Sequence, residues 1–72
     1  MTGYGVIVEQ ADDGTFGAWS PELPGCVATA SDYDECLTLM VEAVSEHLAV
    51  LREFGEPVPP PRAVGAVTIP AA

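Results

Sequence analysis

Residues 19–37, WSPELPGCVATASDYDECL, decide the fold that this sequence predicts. The stretch holds a turn of the pattern Pro-x-Leu-Pro-Gly-Cys, then a short apolar run, then an acidic start to an amphipathic segment. A Pro-Gly step ends one extended run and begins another, so Pro24 and Gly25 predict a turn that leads into Cys26. We expect Gly25 to need backbone freedom that only glycine provides.

A long helix is predicted to follow this turn, over residues 33–54. Asp32 can accept hydrogen bonds from the free amides of a helix start, and Glu35 can bond back as in a capping box. Gly55 is suited to end the helix. Apolar residues recur at steps of three and four, which is the helical period; they are Tyr33, Leu37, Met40, Val44, Leu48 and Leu51.

Three short strands are predicted before the helix, over residues 4–9, 15–20 and 25–30. Asp13-Gly14 is typical of a two-residue hairpin turn between the first two strands. Short connections then predict an antiparallel meander. Apolar residues occur on both faces of this sheet, and one helix can cover only one face. The second face is therefore expected to meet another chain, which predicts a homodimer or larger assembly.

The chain after the helix is predicted to form a connector and a final strand. Residues 55–62 hold four prolines, which favour a stiff extended connector, although a PxxP-type ligand remains an alternative. Residues 63–69 then predict a strand parallel to the first, since a crossover helix precedes it. The predicted fold class is α+β with the order βββαβ, in a single domain over residues 1–72.

The turn, its spacing and the helix pattern together resemble the HicB-like antitoxin family, over roughly residues 4–62. The resemblance implies a truncated ribonuclease-H-like fold with sheet order 3-2-1-4. It also implies a small basic partner, a HicA-like toxin of double-stranded-RNA-binding-domain fold that cleaves mRNA with a histidine. Family members usually append a DNA-binding segment, and we do not expect autoregulatory DNA binding from a chain that stops at Ala72 with two arginines.

The charge balance favours a protein partner over nucleic acid or membrane. The chain has 11 acidic residues, only Arg52 and Arg62 as cations, and a net charge of −9. Such a chain has almost nothing with which to contact phosphates, whereas it attracts a basic protein. The alternative is that the acidic residues serve only to keep a small apolar domain in solution. The absence of a signal peptide or an apolar span predicts a cytoplasmic protein.

Two groups of residues are predicted to bind the partner. The first lies at the end of the second strand, where Trp19 is either an interface residue or part of the core. The second consists of acidic residues on the helix, which can face a basic surface. The partner-binding residues are expected to be Trp19, Pro21, Glu22, Leu23, Glu42, Glu46 and Glu53.

The sequence predicts no catalytic residue, metal site or cofactor. His47 has no nucleophile or carboxylate in a triad context, and Asp12 with Asp13 lacks the ligand spacing of a calcium loop. A ribonuclease-H-like nuclease needs several converging carboxylates, but only Glu9 lies on the first strand. Cys26 and Cys36 could pair, but are expected to stay free thiols.

The predicted function is that of a non-catalytic antitoxin, which binds and neutralises a basic mRNA-cleaving toxin of a type II toxin–antitoxin system. The alternative is a stand-alone homo-oligomeric module that binds a small ligand or has a structural role, without a toxin partner. A short basic protein encoded in the adjacent reading frame distinguishes the two.

Overall fold

The computed structural model describes residues 2–71, which form an α+β unit of one antiparallel sheet and one helix. The elements are β1 (Ile7–Gln10), β2 (Phe16–Ser20), β3 (Leu23–Ala30) and α1 (Tyr33–Glu53). The sheet order is β1-β2-β3, and α1 packs across β2 and β3. The predicted meander and long helix are confirmed. Met1 and Ala72, the two ends of the predicted domain, lie outside the described residues.

A three-residue turn joins β1 to β2. The Ala11 carbonyl accepts from the Gly14 amide at 2.9 Å, and the Ala11 amide donates to the Thr15 carbonyl at 2.8 Å. The prediction of a two-residue turn is wrong, because that turn needs positive φ at both central residues and here only Gly14 has it, at 88°. The Asp13 carboxylate accepts from the Thr15 hydroxyl at 2.6 Å and from its amide at 3.0 Å. These bonds lower the pKa of Asp13.

The chain reverses between β2 and β3 at Pro21-Glu22, earlier than the predicted Pro24-Gly25 turn. Ser20 pairs with Leu23, whereas the preceding Trp19 pairs with Val27. Residues 24–26 are therefore extra residues on β3, forming an irregularity in an edge strand, where a proline without an amide hydrogen is tolerated. The φ of Gly25 is 83°, which confirms that this position needs glycine.

The ends of α1 follow the predicted chemistry with one exception. Asp32 is the N-cap, and its side chain accepts from the Asp34 amide at 3.2 Å. The return bond expected from Glu35 is absent from the hydrogen bonds of residues 2–71. At the other end, the Gly55 amide donates to the Arg52 carbonyl and the Glu56 amide to the Leu51 carbonyl. This is a Schellman motif, and the φ of Gly55 is 68°, so the glycine ends the helix as predicted.

A small core lies between α1 and the inner face of the sheet. Partly buried apolar side chains surround it, and the rings of Phe16 and Tyr33 meet edge to face with centroids 5.8 Å apart. Ser20 is also buried here, and its hydroxyl finds no hydrogen-bond partner among residues 2–71. The buried apolar residues are Ala18, Leu23, Cys26, Cys36 and Met40.

The segment predicted as a final strand forms no regular strand. Its first residue, Ala63, makes an isolated antiparallel bridge with Gly3, and the Tyr4 hydroxyl donates to the Pro59 carbonyl. Beyond Ala63 the side chains of Val64, Val67 and Ile69 are 83%, 85% and 78% exposed. A fourth strand, and with it the order 3-2-1-4 of the ribonuclease-H-like sheet, is not formed in residues 2–71.

Candidate partner-binding surfaces

The outer side of α1 carries the acidic ridge, which we define as Glu42, Glu46 and Glu53. Steps of four and seven residues place these side chains on one side of a helix, and all three are exposed. At 1.5 Å per residue the ridge extends for about 16 Å along the helix. Glu35 lies seven residues before Glu42 and continues the same line. The ridge is therefore a rigid row of carboxylates facing away from the sheet.

Apolar residues flank the acidic ridge on the side nearest β3. Leu39 is 37% exposed and Val50 is 50% exposed. A shallow hollow opens there between the helix and the edge strand, and both Glu46 and the partly buried His47 contribute to it. Its complete lining is Gly25, Cys26, Val27, Ala43, Glu46, His47 and Val50. Carboxylates and exposed apolar side chains thus share one surface, which can offer both charge attraction and desolvated contact.

The free edge of β3 borders this surface. Within residues 2–71, β3 pairs only with β2, so its other edge has unpaired backbone groups there. The irregularity at Pro24-Gly25 interrupts that edge and limits open strand pairing. Cys26 lies at this irregularity with its side chain buried, and desolvation raises the pKa of its thiol. A buried thiol of raised pKa is a poor nucleophile, so Cys26 serves the core.

The sequence predicted four contact residues at the end of β2, and the structure gives each of them different surroundings: Trp19, Pro21, Glu22 and Leu23. Trp19 is 40% exposed on the sheet face away from the helix, where its indole Nε1 donates to Glu9 Oε1 at 2.6 Å. Pro21 is exposed in the turn. Glu22 is half-buried and accepts from the Gly5 amide at 2.8 Å, which ties the turn to the segment before β1.

Leu23 lies in the core instead of on the expected surface. Its side chain is 1% exposed, because the irregularity that follows turns it toward α1. The sequence predicted Leu23 in a partly exposed apolar segment at the end of the second strand. Leu23 is therefore a packing residue in this structure.

The structure separates the two groups of predicted contact residues. Trp19 lies on the outer face of the sheet, whereas the acidic ridge lies on the outer side of the helix that covers the inner face. In a two-layer unit these are opposite surfaces. One partner docked on a flat surface cannot contact both groups, so they form two separate candidate surfaces.

Sequence reasoning did not assign Val27 to a site. It faces outward and pairs across the sheet with Trp19, and it is 61% exposed. The strand alternation from Cys26 to Ala30 contains this signal. The alternation alone does not show that Val27 lies beside Trp19, which is known only from the register of β3 with β2.

Two further kinds of site were searched for in the described part of the chain, a metal-binding cluster and a membrane-spanning helix. Residues 2–71 contain no group of three or more His, Cys, Asp or Glu side chains that could hold a metal ion. Within the same residues, no helix is both long and apolar enough to cross a membrane.

The fold and surfaces define a small two-layer α+β domain with an acidic helical side and an apolar sheet side. The family model described as "HicB_like antitoxin of bacterial toxin-antitoxin system" matches residues 4–70. The chain belongs to this family of antitoxins, whose domains are generally non-catalytic. No curated protein and no solved structure gives a significant match to the chain.

Proposed function

We propose that this chain binds and neutralises a small, basic, mRNA-cleaving toxin of the HicA-like kind, encoded with it as a type II toxin–antitoxin pair. Family membership supports the antitoxin role. The observation that carries the choice of a basic partner is the acidic ridge of Glu42, Glu46 and Glu53 on a net charge of −9.

Neutralisation follows from competition for the same cations. A protein that cleaves RNA holds phosphates with lysine and arginine side chains. Once the antitoxin docks, the ridge carboxylates pair with those lysine and arginine side chains, so RNA can no longer bind them. The antitoxin needs no chemical step of its own. The helix fixes the carboxylates in a row. Binding therefore costs less conformational entropy than it would for acids on a flexible loop.

The apolar neighbours of the ridge give the complex its lifetime. Long-range attraction mainly raises the association rate and is screened by salt over about 8 Å at physiological ionic strength. Dissociation depends on desolvated contacts at the centre of an interface. Leu39 and Val50, exposed beside the ridge, provide that contact surface.

The proposal places the protein in the cytoplasm, where mRNA is the target of the toxin. Cys26 and Cys36 are free thiols. Free thiols are compatible with a reducing compartment.

The test uses the basic protein encoded beside this chain. The variant Glu42→Gln/Glu46→Gln/Glu53→Gln removes the ridge charge. The matched control Asp12→Asn/Asp34→Asn/Glu56→Gln removes three exposed charges elsewhere. We expect the ridge variant to slow association at low salt by about tenfold or more and the control to slow it by far less.

The readouts are stopped-flow association at two salt concentrations and inhibition of RNA cleavage by the toxin. Wild-type chain should protect RNA at equimolar ratio, and the ridge variant should need an excess. Absence of binding, or full RNA protection by the ridge variant with unchanged association, contradicts the proposal. Equal slowing by both variants assigns the effect to net charge and contradicts the role of the ridge.

A further inference from the structure

The pattern of hydrogen bonds in the sheet fixes which backbone groups of β2 face β3. The turn between β1 and β2 makes Ala11 and Thr15 a hydrogen-bonded pair, since the Ala11 amide donates to the Thr15 carbonyl. Hydrogen-bonded and non-hydrogen-bonded pairs alternate along an antiparallel ladder. Gly17 and Trp19, two and four residues beyond Thr15, therefore bond to β1. The residues between them on β2 turn their backbone groups toward β3.

On β3, the backbone groups of Val27 and Thr29 point away from β2. Ala18 faces Ala28 in the register of the two strands, and these two residues form a hydrogen-bonded pair. The amides and carbonyls of Val27 and Thr29, one residue to either side, consequently point outward at the free edge. These four groups have no hydrogen-bond partner among residues 2–71, and both side chains are exposed. The edge thus offers two donors and two acceptors to an added strand.

The opposite edge of the sheet, on β1, is less accessible. Gly3 and Ala63 form an antiparallel bridge shortly before β1 begins. The chain after Ala63 then passes beside β1, where residues 66–68 line one hollow together with Val6 and Val8. A strand that approached β1 would have to displace this segment. The edge that is open to an added strand is therefore that of β3.

Charge determines which kind of strand the edge of β3 can accept. Glu46, His47 and Val50 line the hollow between α1 and this edge. An added strand lies about 4.8 Å beyond β3, so its inward side chains reach this flank of the helix. A lysine or arginine at such a position meets the Glu46 carboxylate, and an apolar neighbour meets Val50. A second copy of the chain carries a net charge of −9 and is repelled instead.

We propose that the basic partner docks by adding an extended segment to the free edge of β3. This inference rests on the proposed function and names the mode of docking. Main-chain hydrogen bonds to Val27 and Thr29 set the register of the added strand, and its lysine or arginine side chains pair with the acidic ridge. The irregularity at Pro24-Gly25 ends the regular edge, so the site accepts one short strand along residues 27–30.

Hydrogen exchange followed by NMR tests the proposal on the wild-type chain. In the free chain the amides of Val27 and Thr29 should exchange fast, whereas those of Ala28 and Ala30 bond to β2 and should exchange slowly. Saturation with the basic protein encoded beside this chain should slow exchange at Val27 and Thr29 by about tenfold or more. A partner that contacts only the helix supplies no acceptor for these two amides.

Two variants at one edge position separate the backbone from the side chain. Thr29→Pro removes an amide hydrogen that the fold does not use, and proline is tolerated on an edge strand where the amide faces solvent. Thr29→Val is the matched control, because it keeps the amide. We expect Thr29→Pro to weaken binding by about tenfold or more, since a carbonyl of the partner loses its donor. Thr29→Val should bind as wild type does, and circular dichroism verifies that both variants fold.

The outcomes distinguish this inference from the proposed function. Protection of Val27 and Thr29 in the complex, with weaker binding by Thr29→Pro alone, supports both. Inhibition of RNA cleavage without protection of these amides, or with equal binding by both variants, overturns the edge inference and leaves the proposed function standing. Absence of binding overturns both. Protection that rises with the concentration of this chain alone assigns the edge to a second copy and also overturns the inference.

Discussion

Two apolar segments that adjoin prolines end in opposite surroundings. Residues 23–26 form the start of β3, and both Leu23 and Cys26 are buried. Residues 64–69 follow the proline-rich connector, and their three large apolar side chains are exposed. Residues 23–26 contain Pro24 and Gly25, which disfavour a strand, whereas Val64, Val67 and Ile69 suit one. Strand propensity therefore does not explain the difference.

The difference lies in what is available to cover each segment. Leu23 and Cys26 are three residues apart and lie on opposite faces in a regular strand. The irregularity at Pro24-Gly25 brings both onto the inner face, where α1 covers them. Residues 64–69 pass beside β1, beyond the sheet area that α1 covers. An apolar run is buried only where a second layer reaches it.

The largest expected effect comes from truncating one residue in each segment. Leu23→Ala should lower the free energy of unfolding by about 2–5 kcal/mol, because it leaves a cavity in a small core. Ile69→Ala should change it by less than about 0.5 kcal/mol, since the side chain is already exposed. Urea denaturation at matched protein concentration measures both.

A variant that does not fold leaves no transition to measure, so Leu23→Val accompanies Leu23→Ala. It should cost about 1 kcal/mol and retain a cooperative transition. If Ile69→Ala costs as much as Leu23→Val, residues 64–69 are packed in solution and the comparison is wrong.

The parts of the fold that the sequence could predict depend on local rules. Helix capping by Asp32, the glycine stop at Gly55 and the positive φ of Gly25 are each set by one or two residues. The final strand was predicted by the same kind of pattern, but a strand needs a partner for its backbone groups. Residues 64–69 lack one here, which no local pattern can reveal.

The candidate surfaces show the same limit. Helical spacing alone places Glu42, Glu46 and Glu53 in one row. The burial of Leu23 depends on the shifted register of β3, and the exposure of Trp19 beside Val27 depends on cross-strand pairing. These are long-range properties, so the sequence alone could not show that Leu23 is buried while Trp19 is exposed.

The next effect in size tests the backbone of the irregularity. Gly25→Val should lower the free energy of unfolding by about 1–3 kcal/mol, because φ is 83° there and a β-branched residue is strained in that region. Space is not the cause, since a Cβ at this position meets no atom within 4 Å. Gly65→Val, in the exposed segment with equal space and no positive φ, is the matched control and should cost little. Thermal denaturation followed by circular dichroism measures both, and equal melting temperatures contradict the assignment.

The smallest expected effect concerns Ser20, which pairs with Leu23 at the start of the irregularity. Its hydroxyl is buried and finds no hydrogen-bond partner among residues 2–71, so it carries a desolvation cost without a bond to offset it. Ser20→Ala should therefore raise the free energy of unfolding by about 0.5–1 kcal/mol. The reciprocal change, Ala18→Ser, adds a hydroxyl at another buried position of β2 and should lower it by about 1–3 kcal/mol. Calorimetry resolves opposite shifts of this size, since 1 kcal/mol moves the melting temperature of so small a domain by about 4–8 °C. A loss of stability in Ser20→Ala would mean that an ordered water bonds the hydroxyl, and the inner face would then be partly polar.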